Sequence, residues 1–178
     1  MSGNKRLEEV KSLVSAHPDF PKKGVLFRNI FPVLRDVHGF KTLCDLIVEH
    51  IKSTSPDVEL IVGLDSRGFL FGPIIAQLLG IGFAPVRKSG KLPGETYKVS
   101  YKLEYGEDSF EIEKSSIKQD QKILIIDDLI ATGGSMKAAC ELVEKAGGNI
   151  LQCFVVIELN CLNGRDKVNK PVHSLLTY

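Results

Sequence analysis

The spacing of apolar residues changes along the chain at about Pro56. Before that point, apolar side chains recur at helical intervals over residues 7–14 and 40–51, with Pro18 following the first of these stretches. This periodicity predicts a short amphipathic helix and then a helix of about four turns. Residues 18–34 between them are too rich in Pro and too irregular for a core element, so we expect a structured excursion there.

After Pro56 the apolar residues form short runs that end in Gly, Asp or a charged residue, which is typical of buried strands. The predicted strands are 59–64, 83–86, 122–126 and 150–157, with 110–112 and 172–176 as weaker candidates. Helical patterns lie between strands at 69–79 and 136–146, and Gly147 and Gly148 cap the second helix. This alternation predicts an α/β fold with a largely parallel twisted sheet flanked by helices, as a single domain over 1–178.

Composition narrows the classes of partner. The chain has 43% hydrophobic and 25% charged residues and a net charge of +1, which is ordinary for a globular protein. A nucleic-acid surface would need a basic excess, so we expect no nucleic-acid partner. No apolar run approaches 18 residues and the N-terminus lacks a secretory pattern, so we expect no membrane association. The four Cys residues show no zinc spacing and favour reduced thiols in the cytoplasm.

The chemistry is concentrated after the strand at 122–126. Asp127 and Asp128 follow it, and the segment 131–135 reads Ala-Thr-Gly-Gly-Ser before a predicted helix. Glycines let backbone N–H groups approach an anion, and a helix N-terminus favours negative charge, so this turn predicts a phosphate site. A lone Asp pair more often just ends a strand in solvent. Beside this turn, however, the two carboxylates suit the vicinal hydroxyls of a ribose.

The segment from Asp127 to Ser135, DDLIATGGS, resembles the phosphoribosyl pyrophosphate motif of the type I phosphoribosyltransferase family. The residues of this segment are most similar to those of the adenine phosphoribosyltransferases. The resemblance implies that family's fold, with a hood at about 18–34 over the base and a mobile catalytic lid at about 90–108. It also implies a homodimer, and Mg²⁺ held mainly through the substrate near Asp127 and Asp128 with no direct protein ligand.

The same resemblance assigns roles to individual residues. The ribose phosphate would lie on Asp127, Asp128, Ala131, Thr132, Gly133, Gly134 and Ser135. The pyrophosphate would lie on Asp65, Ser66, Arg67, Arg87, Lys88, Lys91 and Tyr105. Adenine would contact Val25, Phe27, Arg28, Leu129 and Leu159, and the catalytic residues would be Glu104, Arg67, Asp127 and Asp128. Asn29 departs from the Asp that is usual at that position in the family.

The implied reaction joins adenine to phosphoribosyl pyrophosphate, giving AMP and pyrophosphate. The cradle at 131–135 reads only the sugar phosphate, so a transferase for a 6-oxopurine base stays open, as does a non-catalytic regulator that binds phosphoribosyl pyrophosphate. The early segment FPKKGVLFRNI favours adenine, and the basic loop with Glu104 favours an enzyme. A permanently ordered hairpin is the alternative to a mobile lid. The four scattered His residues resemble no ligand set.

Overall fold

The computed structural model describes residues 3–102 and 107–178, and the chain divides into two compact units, Met1–His50 and Ile51–Tyr178. The prediction of a single domain over the whole chain stays a prediction. None of the helices in the described ranges is long and apolar enough to cross a membrane.

The first unit contains helices and one small hairpin. Its elements are α1 (Gly3–Leu13), β1 (Ser15–Pro18), β2 (Leu26–Asn29), α2 (Phe31–Arg35) and most of α3 (Val37–Thr54). Both helices predicted from periodicity are confirmed. β1 and β2 pair antiparallel, from Ser15 opposite Asn29 to Pro18 opposite Leu26. The sequence did not predict this hairpin because β1 is mostly exposed and carries no alternation of apolar residues.

The second unit is built on a seven-stranded sheet in the order β5-β6-β4-β3-β7-β8-β9. Its strands are β3 (Leu60–Leu64), β4 (Gly82–Lys88), β5 (Thr96–Lys102), β6 (Glu107–Glu113), β7 (Lys122–Ile130), β8 (Asn149–Glu158) and β9 (Val172–Thr177). Its own helices are α4 (Gly72–Leu79) and α5 (Gly134–Lys145). The five strands β4-β3-β7-β8-β9 pair in parallel. β6 pairs antiparallel with β4 on one side and with β5 on the other. The predicted largely parallel sheet flanked by helices is confirmed.

Three differences from the prediction go beyond shifts of one to three residues at the strand ends. β7 runs on to Ile130 because its pairing with β8 continues, so Asp127 and Asp128 lie inside the strand and not after it. The helix predicted at 69–79 is a 3₁₀ turn, Arg67–Leu70, followed by α4, which has Pro in its first turn. β5 lies where we expected the lid, and its pairing with β6 forms a hairpin there, which is the arrangement of the alternative interpretation.

The core of this unit places the carboxyl ends of β3 and β7 side by side. All five residues of β3 are buried, and the apolar residues 123–126 of β7 are fully enclosed. Each such side chain contributes about 1.5–3 kcal/mol by leaving water. Because the two strands are neighbouring and parallel, the segments that follow them meet at one edge of the sheet. This edge is where α/β sheets bind ligands.

Candidate active site

A cavity of about 370 Å³ opens at the carboxyl ends of β3 and β7. The predicted site residues that line it are Asp65, Ser66, Arg67, Lys88, Asp127, Asp128, Leu129, Ala131, Thr132, Gly133, Gly134 and Ser135. Five other lining residues were not predicted as site residues: Tyr101 and Asp108, which fall within the predicted lid, and Phe110, Ile130 and Met136. Two segments about sixty residues apart, one following β3 and the other spanning the end of β7 and the turn after it, are thus brought to the same cavity.

The two carboxylates of β7 have different environments. Asp128 is buried, and its Oδ2 accepts a hydrogen bond from Arg67 Nε, forming an ion pair. Asp127 Oδ1 accepts the backbone N–H of Asp128 at 2.9 Å. Burial, and then the neighbouring charge of Asp128, raises the pKa of Asp127 well above its ordinary value. Arg67 therefore balances the charge of Asp128, while Asp127 has no ion-pair partner among the described residues.

The phosphate cradle, residues 131–135, joins β7 to α5. Gly133 has φ +80°, a conformation that other residues rarely adopt. A Cβ on Gly133 would also lie 2.1 Å from the carbonyl oxygen of Gly164, so no side chain fits there. α5 begins at Gly134, and the N–H groups of its first turn lack partners within the helix. The cradle therefore presents backbone donors and a helix N-terminus to the cavity, as predicted for a phosphate site.

The basic residues at the end of β4 are held by acidic partners. Lys88 lines the cavity, and its Nζ lies 3.0 Å from Asp108 Oδ2, which raises the pKa of Lys88 and lowers that of Asp108. Arg87 Nε donates to Asp65 Oδ2 at 3.3 Å, and its Nη1 donates to the carbonyl oxygen of Lys91 at 3.1 Å. Neither Arg87 nor Lys91 is among the residues that line the cavity. Their proposed contact with pyrophosphate stays a prediction.

Glu111 is a structural residue that the sequence did not reveal. It is buried, and its Oε1 accepts the backbone N–H groups of Lys91 and Leu92, each at 2.9 Å. Burial alone would raise the pKa of Glu111, but the N–H groups of Leu92, Gly90 and Lys91 hold it below its ordinary value. Glu111 lies on the opposite face of β6 from Phe110 and would be expected in solvent by alternation alone. It instead fixes the turn after β4.

Tyr101 also lines the cavity. Its hydroxyl lies 3.4 Å from Asp108 Oδ2, and its ring centroid is 4.8 Å from that of Phe110. Burial raises the pKa of Tyr101, so the phenol stays protonated and able to donate. Tyr101 and Asp108 therefore add polar groups to the side of the cavity formed by the β5–β6 hairpin.

The remaining predicted residues lie elsewhere in the chain. Glu104 and Tyr105 are outside the described residues. Val25, Phe27 and Arg28 belong to the first unit, where the ring of Phe27 packs edge-on against Phe20 at 5.1 Å. The backbone N–H of Leu159 donates to the carbonyl oxygen of Ile130 at 3.0 Å, but Leu159 does not line the cavity.

Asn29 supplies a hydrogen-bond acceptor at the position where the resemblance implies an Asp. Its side-chain oxygen accepts the backbone N–H of Phe31 at 3.0 Å, at the start of α2. An Asp carboxylate could accept the same bond, so the substitution preserves this local contact.

Comparisons with known proteins agree with this geometry. The family model described as the phosphoribosyl transferase domain matches residues 37–176. The chain is 51% identical over 178 residues to the adenine phosphoribosyltransferase of Drosophila pseudoobscura pseudoobscura, covering 100% of this chain and 98% of the relative. The chain belongs to the adenine phosphoribosyltransferase family. The resemblance inferred from residues 127–135 is thereby confirmed.

Further relatives cover the same length. The Homo sapiens adenine phosphoribosyltransferase is 47% identical over 174 residues, which are 97% of each chain. A crystal structure of the Saccharomyces cerevisiae enzyme, complexed with adenine and an imino-altritol bisphosphate, superposes with a TM-score of 0.95 at 47% identity. It covers 97% of this chain and 99% of that one. The family's fold therefore extends over almost the whole chain.

Proposed function

We propose that this chain is an adenine phosphoribosyltransferase, which joins adenine to phosphoribosyl pyrophosphate and releases AMP and pyrophosphate. The observation that carries the proposal is one cavity lined by the carboxylates of β7, the phosphate cradle and residues 65–67. Identity along almost the full chain to relatives named adenine phosphoribosyltransferase supports the choice of adenine over a 6-oxopurine. It also supports an enzyme over a non-catalytic regulator.

The ribose phosphate binds at the end of β7. The 5-phosphate accepts hydrogen bonds from the backbone of residues 131–135 and the hydroxyls of Thr132 and Ser135. The ribose hydroxyls donate to Asp127 and Asp128, which line the same cavity. Because the glycosidic carbon becomes oxocarbenium-like as its bond breaks, nearby carboxylates also favour the transition state.

Pyrophosphate leaves toward residues 65–67 and Lys88. The C1–O bond to pyrophosphate breaks as the bond from adenine N9 to C1 forms, so negative charge grows on the departing oxygens. Among the residues that the structure describes, Arg67 and Lys88 are the cations that line the cavity, and they stabilise this charge. The pyrophosphate-binding part of the site is completed, when the lid closes, by Arg87, Lys91 and Tyr105. Glu104 accepts the proton that leaves adenine N9.

Adenine is recognised mainly by residues outside the sugar site. The family resemblance assigns Val25, Phe27 and Arg28 of the first unit, and Leu129 and Leu159 of the second unit, to contacts with the base. A flat aromatic ligand requires contacts of this kind on its faces and hydrogen bonds at its edge. Leu129 already lines the cavity that holds the sugar, which supports its place between the two substrates.

The carboxylates of the cavity, Asp127 and Asp128, fit a Mg²⁺ ion that is held mainly through the substrate. Within the described ranges, no three His, Cys, Asp or Glu side chains form a group that could hold a metal ion alone. Asp127 and Asp128 nevertheless offer carboxylate oxygens in the cavity, which suit a hard cation that keeps most of its other ligands from phosphates and water. The metal would neutralise pyrophosphate charge, while the two carboxylates hold the ribose hydroxyls beside it.

We also propose that the enzyme works in the cytoplasm as a homodimer, with no nucleic-acid or membrane partner. Four free cysteines in the described residues are compatible with a reducing compartment. Leu70, Ile74 and Leu78 are exposed at intervals of four residues, which supports an apolar contact with a second copy. Analytical ultracentrifugation tests the dimer directly, and a monomer at micromolar concentration would contradict it.

One assay tests the function. The protein is incubated with phosphoribosyl pyrophosphate, Mg²⁺ and, in separate reactions, adenine, hypoxanthine, guanine, uracil or orotate, and nucleotide is measured by chromatography. We expect AMP from adenine and no nucleotide from the other bases. Nucleotide formed from hypoxanthine or guanine, with none from adenine, would favour a 6-oxopurine enzyme. No nucleotide from any base would favour a regulator.

A further inference from the structure

A short 3₁₀ turn, Gly164–Lys167, lies directly behind the phosphate cradle. A Cβ on Gly133 would meet the carbonyl oxygen of Gly164 at 2.1 Å, and a Cβ on Gly164 would meet the carbonyl oxygen of Ala131 at 2.2 Å. Both distances are far below any real side-chain contact, so the two backbones touch without room for a methyl group. The turn therefore forms the rear wall of the cradle.

The turn is tied to the sheet by one buried carboxylate. Arg165 Nε donates to Glu158 Oε1 at 2.7 Å, and Arg165 Nη2 donates to Glu158 Oε2 at 2.5 Å. The Ser174 hydroxyl donates to the same Oε2 at 2.6 Å. The Glu158 side chain is only 4% exposed. These bonds, which we call the Glu158 clamp, join the end of β8, strand β9 and the turn that carries Gly164.

The far side of the cradle also borders this turn. A second depression of about 280 Å³ is lined by Thr132 and Gly134 of the cradle and by Lys167 of the turn. The turn therefore contacts the cradle through Gly164 and flanks it through Lys167. A shift of the turn would displace the cradle, because the close backbone contact leaves no slack between them.

We propose that Gly164 and Arg165 are positioning residues, which hold the cradle at the width and orientation that a sugar phosphate needs. This inference rests on the proposed function, since it concerns how that same site binds phosphoribosyl pyrophosphate. Neither residue lines the 370 Å³ cavity, so each acts through Ala131 and Gly133. The cradle depends on backbone N–H positions, which its own side chains cannot correct if the rear wall moves.

The first test compares two glycine variants. Gly164→Ala inserts a methyl group against Ala131, while the control Gly82→Ala meets only the Leu60 side chain at 3.2 Å, away from the cradle. We expect Gly164→Ala to raise KM for phosphoribosyl pyrophosphate at least about tenfold, since misplacement near 1 Å costs factors of this size or larger. KM for adenine, which has no phosphate, should change less than about twofold by the same argument. Gly82→Ala should change neither KM.

The second test compares two substitutions of Arg165, which weaken the Glu158 clamp to different degrees. Arg165→Lys keeps a charge beside Glu158 but loses the bidentate contact, and Arg165→Met removes the charge as well. We expect KM for phosphoribosyl pyrophosphate to rise in the order wild type, Lys, Met, with KM for adenine little changed. Lys avoids a buried unpaired carboxylate, so this variant should fold even if Met does not.

The outcomes separate the two proposals. A wild-type protein that makes no AMP overturns the proposed function. An active wild type whose Gly164→Ala and Arg165→Lys variants keep KM for phosphoribosyl pyrophosphate within twofold overturns the positioning role alone. Equal rises in both KM values, matched by a loss of melting temperature, would show a general structural defect and would also overturn it. If Gly164→Ala does not fold, Arg165→Lys decides by the same criterion.

Discussion

The two sides of the cavity are constructed in opposite ways. The cradle side, residues 127–135, consists of a central strand, a backbone turn and a helix N-terminus, with the turn Gly164–Lys167 packed behind it. The basic side consists of side chains at the end of β4 and on the hairpin β5–β6, at one edge of the sheet. Its cations are held by carboxylates, as Lys88 is by Asp108. The first side suits fixed recognition, and the second suits rearrangement when pyrophosphate arrives.

The largest expected effect comes from the buried carboxylate of the cradle side. Asp128→Asn should lower kcat about 1000-fold, a size typical of removing a preorganised group that stabilises charge in the transition state. It also leaves Arg67 without its ion-pair partner, but Arg67 is 39% exposed, so water can solvate it. Steady-state kinetics and thermal unfolding measure the two effects. Parallel losses of activity and folding would argue against a catalytic role.

The next effect tests the lid. Glu104→Gln should lower kcat about 100-fold with little change in either KM, because a general base acts on the proton and not on ground-state binding. Glu104→Asp is the matched control, since it keeps the carboxylate and should retain more activity. Glu104 would leave the mechanism if the Gln variant turned over at the wild-type rate.

A smaller effect should come from the turn after β4. Glu111→Ala removes the acceptor of the Lys91 and Leu92 N–H groups, and we expect KM for phosphoribosyl pyrophosphate to rise about tenfold as Arg87 and Lys91 lose their fixed positions. Glu111→Gln keeps one acceptor oxygen and should lie between wild type and Ala. If the Ala variant bound phosphoribosyl pyrophosphate normally, the basic side would need no preformed turn.

The stability that Glu111 contributes should depend on pH. Because the pKa of Glu111 is lowered in the folded state, its stabilising contribution is complete above the unfolded pKa and is lost as pH falls through the folded pKa. Wild type and Glu111→Gln should therefore approach each other in melting temperature in acid. A difference that is constant with pH would contradict this account.

The smallest expected effect is a gain in stability, for the variant Asp127→Asn. Asp127→Asn should stabilise the protein by about 1 kcal/mol near pH 7, the usual size when a residue kept for function is replaced. The pKa of Asp127 is raised in the folded state, so wild-type stability falls as pH rises from the unfolded pKa toward the folded one. Asn keeps the oxygen that accepts the Asp128 N–H. The gain should shrink as pH falls toward 4, and activity should fall at every pH.

This contrast also explains what the sequence could predict. The cradle was predictable because a strand, two carboxylates and a Gly-Gly turn are contiguous, and each residue acts locally. The hairpin β1–β2 was not predicted because β1 is mostly exposed and carries no apolar alternation. Strand β5 lies where we expected the lid. The ion pair of Arg67 with Asp128 was not predicted because its partners are distant in the chain. Glu111 and Gly164 were missed for the same reason. Glu111 looks like a solvent-facing strand residue, and the contact of Gly164 with Gly133 spans thirty-one positions.

The most direct test of the account is a crystal structure of the protein with AMP bound. We predict that the phosphate lies within hydrogen-bonding distance of the backbone N–H groups of residues 132–135, and that the ribose hydroxyls contact Asp127 and Asp128. AMP with its phosphate bound anywhere else, while the cradle holds only water, would contradict the central claim.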